Sequence, residues 1–273
     1  MSLTIATWNI NSVRLRIGNV ERFLKLRKPD VLCLQETKTP DEFFPHAQFE
    51  ALGYSHRLIH GMKGYNGVAI VSKIPFTATT IHHRCGKEDC RHIEAALDLG
   101  SDPILLDNLY IPAGGDIPDP KLNVKFAHKL GFYREMAEWY AGHKPKPRAR
   151  KGLRRIAVGD LNVAPLEHDV CSHKQLLKIV SHTPVEVDLF DRMMKALDWI
   201  DVPRRFVPSE QKLYSWWSYR AADWRAADKG RRLDHILASP ALSNAISGYH
   251  IEKETRGWEQ ASDHVPVLAT FEV

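Results

Sequence analysis

Five short apolar runs, at residues 3–8, 31–34, 68–71, 104–109 and 156–158, have the length and side-chain content of buried strands. Between some of them the apolar spacing changes to that of a helix. Val20, Phe23, Leu24 and Leu26 fall on one face of a candidate helix, and Phe126, Leu130, Tyr133, Met136, Ala137 and Tyr140 mark a longer one. Strands alternating with helices predict an α/β or mixed fold. The stretch 144–155 breaks the pattern. There Pro145 and Pro147 stand among seven lysines and arginines, which reads as a surface connector.

The informative positions are those where polar residues interrupt or follow the strands. Asn9 closes the first, Glu36 follows the second, Tyr110 closes another, and Asp160 and Asn162 follow a fourth. Each stands at a strand's C-terminal end, where ligand sites of open α/β sheets gather, so residues distant in sequence can converge there. Together with Asp263 near the C-terminus, Asn9, Glu36, Asp160 and Asn162 supply carboxylate and amide oxygens without a thiolate. That donor set suits a hard cation, Mg²⁺ with Mn²⁺ as substitute, better than zinc. Asp263 and His264 are neighbours on an extended segment and point in opposite directions, so His264 needs another carboxylate to orient its ring. Asp234 is the candidate. A histidine so held can act as a general base or, protonated, stabilise a phosphate.

Composition narrows the partners. The 273 residues are 44% hydrophobic, enough for one large domain spanning 1–273, and the formal charge of +5 favours a polyanion. Four scattered cysteines do not make the disulfide framework of a small secreted domain, which predicts reduced thiols and a cytoplasmic protein. The N-terminus lacks the features of a signal peptide and no apolar run is long enough for a bilayer, so a soluble, unprocessed protein with no membrane partner is expected.

Eight motifs taken in order carry a resemblance: TWNINSVR (7–14), LQETK (34–38), YNGVAI (65–70), NLYIPAG (108–114), GDLNVAP (159–165), YSWWSYR (214–220), RLDHILAS (232–239) and SDHVPV (262–267). Over nearly its whole length the chain resembles the exonuclease III type of abasic-site endonucleases, within the endonuclease/exonuclease/phosphatase superfamily. The resemblance implies a four-layer α/β sandwich of two mixed β-sheets flanked by helices, deoxyribonuclease I-like, with the site at one sheet edge. It implies a monomeric, Mg²⁺-dependent repair enzyme acting on double-stranded DNA with abasic sites or 3′ ends. Glu36 then resembles the direct metal ligand, completed or supported by Asn9 and Asp263. Asp160 and Asn162 resemble the residues that position or deprotonate the attacking water. His264, oriented by Asp234, and Tyr110 would contact the scissile phosphate, while Trp216 and Leu233 resemble the walls of the pocket for the baseless sugar. Whether Asp160 or His264 takes the proton stays open.

Two departures bear on substrate breadth: Ala113 stands where relatives often carry an amide, and Arg231 where some carry a large apolar side chain. The residues His82, His83, Cys85, Cys90 and His92 fit no common zinc module and are expected in a loop between two strands. The alternatives are a phosphatase or phosphodiesterase of the same superfamily acting on a non-DNA substrate, and an inactive module that binds damaged DNA.

Overall fold

The computed structural model of the protein describes residues 1–100, 102–145, 152–221 and 223–273. Its strands in chain order are β1 (Ser2–Asn9), β2 (Val31–Gln35), β3 (His56–His60), β4 (Val68–Ser72), β5 (Phe76–Arg84), β6 (Lys87–Leu97), β7 (Ile104–Tyr110), β8 (Arg155–Asp160), β9 (Ile200–Asp201), β10 (Trp216–Trp217), β11 (Gly230–Arg231), β12 (Asp234–Ala238), β13 (Ile246–Ile251) and β14 (Val267–Glu272). The helices are α1 (Ile17–Arg27), α2 (His46–Ala51), α3 (Val124–Gly142), α4 (His173–Leu176), α5 (Pro184–Ala196) and α6 (Trp224–Ala227). One six-stranded sheet runs β13-β14-β1-β2-β4-β3 and the other β5-β6-β7-β8-β12-β9. Each has a single parallel pair at its middle, β1 with β2 and β7 with β8, among antiparallel neighbours. Parallel neighbours share a direction, so in each sheet two C-terminal strand ends emerge side by side.

The central strands are buried on both faces, which is why they read as nearly continuous apolar runs. Ile5, Cys33, Ile70, Leu106, Val158 and Ile236 fill the space between the sheets. Ala6, Leu32 and Val71 turn outward onto α1 and α2 with Phe23 and Phe49, while Leu109, Ala157 and Leu237 turn outward onto α3 and α5. The layers are therefore helix, sheet, sheet, helix, as the resemblance implied. Local signals set the helix ends. The Asn123 side chain accepts from the N–H groups of Lys125 and Phe126, and α5 opens with Thr183, Pro184 and a Glu186 that reaches back to its cap.

Three expectations change. Leu26 is exposed, because on a helix of 3.6 residues per turn it lies off the face shared by the buried Val20, Phe23 and Leu24. Arg155 is not in the connector but buried at the start of β8, while residues 146–151 of that connector lie outside the described residues. The residues His82 to His92 form not a loop but the β5–β6 hairpin, which turns through Cys85 and Gly86. His82 stacks on His92 at 4.4 Å and both rings meet Trp139 of α3, so polar and aromatic partners replace the aliphatic alternation that marks a strand. No helix among the described residues is long and apolar enough to cross a membrane.

This face of the second sheet holds a buried charge network. Arg155 donates to Asp107 at 2.7 Å and to Glu94 at 2.8 Å, and His92 Nε2 lies 3.0 Å from Asp107. Burial pushes the Asp107 carboxyl up, but Arg155 and His92 outweigh it and hold the group down at about 2. A carboxylate depressed on folding stabilises fully above its unfolded value and loses that contribution as pH falls through the folded one. The Asp107 contribution should therefore disappear between about pH 4 and pH 2. Asp107→Asn should cost on the order of 1–3 kcal/mol at neutral pH, because Arg155 loses its buried counter-ion but keeps Glu94. Urea unfolding of both proteins across that range checks this. A variant as stable as the parent at pH 7 would show the pair to be energetically idle.

Candidate active site

The ends of the two parallel pairs meet at one end of the sandwich, beside the N-terminal end of β12 and the segment that leads into β14. Asn9 ends β1, Glu36 follows β2, Tyr110 ends β7, Asp160 ends β8, and Asp234 opens β12. The residues thus gather over the middle strands of both sheets and not at a sheet edge, because the parallel pairs are central.

Asn9 joins the two halves. Its Nδ2 donates to Glu36 Oε1 and to Asp160 Oδ2, at 2.9 Å each, so carboxylates from different sheets flank one nitrogen. Glu36, Asn11 and Asn162 all adopt positive φ, of 51°, 47° and 53°. Such left-handed residues cost energy that the surrounding contacts must offset, and here they aim side chains into the site. Gly159, at φ 140°, lets β8 run close beside β7: a Cβ there would lie 1.9 Å from the Leu109 carbonyl oxygen. Asp160 Oδ1 accepts from the Asn162 N–H at 2.9 Å, and the Asn162 amide donates to the Ile111 carbonyl at 2.9 Å.

His264 is held as its neighbours require. Its Nδ1 lies 2.8 Å from Asp234 Oδ2, and its Nε2 faces Asp160 Oδ2 at 3.7 Å. The Ser262 hydroxyl donates to the Asn9 carbonyl and Trp8 Nε1 donates to the His264 carbonyl, which ties the tripeptide to β1. Burial disfavours the imidazolium, but Asp234 and then Asp160 outweigh it and raise the His264 pKa. Burial raises the Asp160 pKa, against the opposing pull of His264. Burial, Glu36 and Asp160 keep the Tyr110 phenol protonated far above its usual range.

Asp263 points away from His264. Its carboxylate accepts from Trp216 Nε1 at 2.9 Å and from Asn11 Nδ2 at 3.3 Å, so it meets the acidic centre through Asn11 and the wall of the neighbouring apolar patch. Leu233, Ala164 and Val170 form the buried part of that patch, with Leu176 and Trp216 against it. The Arg231 guanidinium lies over the Trp216 ring, 5.3 Å from its centre, and donates to Val180 O and Ser181 Oγ. Sequence reasoning assigns no role to Asn11 and Lys38, although both lie within the motifs, nor to Arg91, which lies outside them. Lys38 Nζ is 2.8 Å from Glu36 Oε2 and 2.5 Å from Asn11 Oδ1. Arg91 stacks over Tyr110 and donates to its carbonyl.

Asp160, Asp234 and His264 place donor atoms within 4.8 Å of one another, an acidic cluster able to hold a metal ion. Asp234 Oδ2 and His264 Nδ1 already bond each other and Asp234 Oδ1 is buried without a hydrogen-bond partner among the described residues, while the oxygens of Glu36 and Asp160 each accept from a donor that a cation would replace or join. Lys38 supports this: oxygens of Glu36 and Asn11 already hold its ammonium, a cation stand-in suited to an oxygen-rich site.

Residues 6–264 match the model of the Endonuclease/Exonuclease/phosphatase family. The chain belongs to this family. It is 30% identical to exodeoxyribonuclease III of Haemophilus influenzae, over 97% of this chain and 98% of that one. An AP endonuclease from Archaeoglobus fulgidus superposes with a TM-score of 0.87 at 32% identity, covering 99% of this chain and 100% of that one. The 3′ phosphatase NExo from Neisseria, bound to a product DNA hairpin, gives 0.87 at 30% identity with the same coverage. Members of the family depend on a metal, and the acidic cluster is where this chain can hold one.

Replacing Asp234 by Asn removes the strongest attraction on the His264 imidazolium, so the His264 pKa should drop. A proton NMR titration of the imidazole in the metal-free protein measures it. An unchanged midpoint would mean that Asp234 does not set the histidine's charge.

Proposed function

We propose that this protein is a Mg²⁺-dependent DNA-repair phosphodiesterase that cuts duplex DNA on the 5′ side of abasic sites and also processes 3′ ends. The observation that carries the reading is the Asn9 bridge, which sets Glu36 against Asp160 in reach of the Asp234-oriented His264, next to the apolar Trp216–Leu233 patch. The relatives named exodeoxyribonuclease III and AP endonuclease, and the neighbour bound to a DNA hairpin, support DNA as the substrate.

Glu36 would hold the ion, with Asn9, Asp160, Asn162 and Asp263 completing or supporting the site. Bound there, Mg²⁺ would neutralise charge on the phosphodiester and on the departing 3′ oxygen. The protein's own groups divide the proton work. His264 stays charged and donates to a phosphate oxygen, Tyr110 keeps its proton and donates to the same group, and Asp160, raised by burial, accepts the proton of the attacking water. The Asn162 amide N–H fixes the rotation of the Asp160 carboxylate for that role. The patch of Trp216 and Leu233 would receive the sugar, and an abasic nucleotide is the one that costs least to extrude. Arg231 over Trp216 narrows that patch and, with Ala113, bears on the balance between endonuclease and 3′-end activities. Four free cysteines fit a reducing cytoplasm, and the enzyme is read as a single-domain monomer.

The test is cleavage of a duplex carrying one tetrahydrofuran abasic analogue, with Mg²⁺ and with chelator, beside intact DNA, a 3′-phosphate duplex and a soluble inositol phosphate. Metal-dependent incision next to the lesion is expected. Phosphate release from the inositol compound with DNA untouched would move the same chemistry to another substrate. Asp160→Asn should lower kcat on the order of 10²–10⁴-fold while lesion-duplex affinity changes by less than about threefold. A variant that still turns over at the parent rate would remove Asp160 from the mechanism.

A further inference from the structure

Behind the site lies a lysine that this chemistry does not use. Lys129 of α3 is fully buried and paired with Glu186, equally buried, in the first turn of α5. Its ammonium also donates to the Asn162 carbonyl at 2.6 Å and the Ala113 carbonyl at 3.2 Å. Glu186 in turn accepts from the N–H groups of Ser181 and Thr183 and from the Thr183 hydroxyl, at 2.9, 3.1 and 2.6 Å. The Ser181 carbonyl accepts from Ala164 N at 2.7 Å, and its hydroxyl receives Arg231. Three loops that border the site, 111–115, 161–165 and 180–183, are therefore fastened to one ion pair. Gly114 belongs to the same packing, since a Cβ there would lie 2.9 Å from the Lys129 side chain.

A buried ion pair is seldom the most stabilising filling of a core, because desolvation offsets most of its attraction. What this pair supplies is direction. Asn162 has positive φ, and its two bonds toward the site depend on that conformation: its N–H to Asp160 and its amide to Ile111. The carbonyl that Lys129 holds belongs to this same residue.

We infer that Lys129, through Glu186, is a positioning residue of the active site. It fixes the backbone of Asn162 and Ala113, and with it the rotation of Asp160 and the loop that follows Tyr110, without touching substrate. The inference rests on the functional reading above. A misplacement of the order of 1 Å at a reacting group costs about 10²-fold in rate, so the loss should fall on kcat.

The experiment compares Lys129→Met with Leu242→Ala, a core truncation at the far end of β12, at a temperature where both stay folded. Amide hydrogen exchange of the free proteins is read over 111–116 and 161–165, and kcat and KM on the lesion duplex. Lys129→Met should exchange faster in both loops and lose kcat by about 10²-fold, with KM within about threefold. Leu242→Ala should do neither. Unchanged loop exchange, a parent-like kcat, or an equal kcat loss in Leu242→Ala would each overturn the role. If Lys129→Met does not fold, Glu186→Gln, which removes the charge and keeps an acceptor, takes its place with the same readouts. A parent protein that cuts none of the duplexes sinks the functional reading and the positioning role with it. An active parent with a fully active Lys129→Met sinks the positioning role alone.

Discussion

Three amide side chains, of Asn108, Gln35 and Asn9, cross between the sheets, and the distances within the site depend on them. Asn108 of β7 donates to the carbonyls of Leu34 and Ala69 in the opposite sheet and accepts from Gln35 at 2.7 Å. Nearer the strand ends, Asn9 donates to Glu36 and Asp160. Between two apolar faces, sliding by a residue exchanges one aliphatic contact for another. A buried amide cannot slide without losing directed bonds, and an unmade buried bond costs about 1–3 kcal/mol. The polar residues between the sheets therefore do what aliphatic packing cannot: they fix one alignment, and that alignment brings Glu36 and Asp160 to the same nitrogen.

The strand order makes this position available. Each sheet is antiparallel but for a central parallel pair, and it is the C-terminal ends of these two pairs that carry Asn9, Glu36, Tyr110 and Asp160. Antiparallel β12 and β14 bring Asp234 and the Asp263–His264 step to the same end from their N-terminal sides. The middle strands have neighbours on both sides and helices over their outer faces, so the groups at their ends stand on the most constrained part of the backbone. Rigid placement of this kind is what an electrostatic site needs.

How far the sequence carries this picture depends on the kind of interaction. The central strands were legible because burial on both faces leaves apolar runs, and the residues at their ends because polar side chains interrupt them. Alternation along an extended segment turned Asp263 and His264 apart and so excluded that pair, while Asp234 as the partner came from its motif and the resemblance. The turn end of the β5–β6 hairpin was not legible: between His82 and His92 its helix-facing side is built from His82, His92 and Arg84 against Trp139, and apolar alternation begins only at Ile93, Ala95 and Leu97. Leu26 keeps a three-residue step from Phe23 but lies off the face shared by Val20, Phe23 and Leu24, and is exposed. The roles of Lys38, Lys129 and Glu186 were out of reach for another reason. Their deciding partners, Asn11 for Lys38 and Glu186, Asn162 and Ala113 for Lys129, are brought near only by the folded chain.

The arrangement of charge shows how so small a cluster could serve the proposed chemistry with one group that keeps its proton and one that can accept another's. Asp160, Asp234 and His264 lie together in a buried place, where three ionised groups of mixed sign do not share water. Asp234 bonds the imidazole directly, which makes the cation on His264 the cheaper charge to keep. Asp160 lies farther from the ring, at 3.7 Å, and also accepts from Asn9. Its carboxylate is thus the group for which burial weighs most against compensation, and its proton affinity rises while that of an exposed aspartate would not. The same burial that raises Asp160 is overcome at His264 by two carboxylates, Asp234 first and Asp160 second. The opposite protonation preferences of the two groups are therefore a difference of partner, set by which strand end each residue occupies.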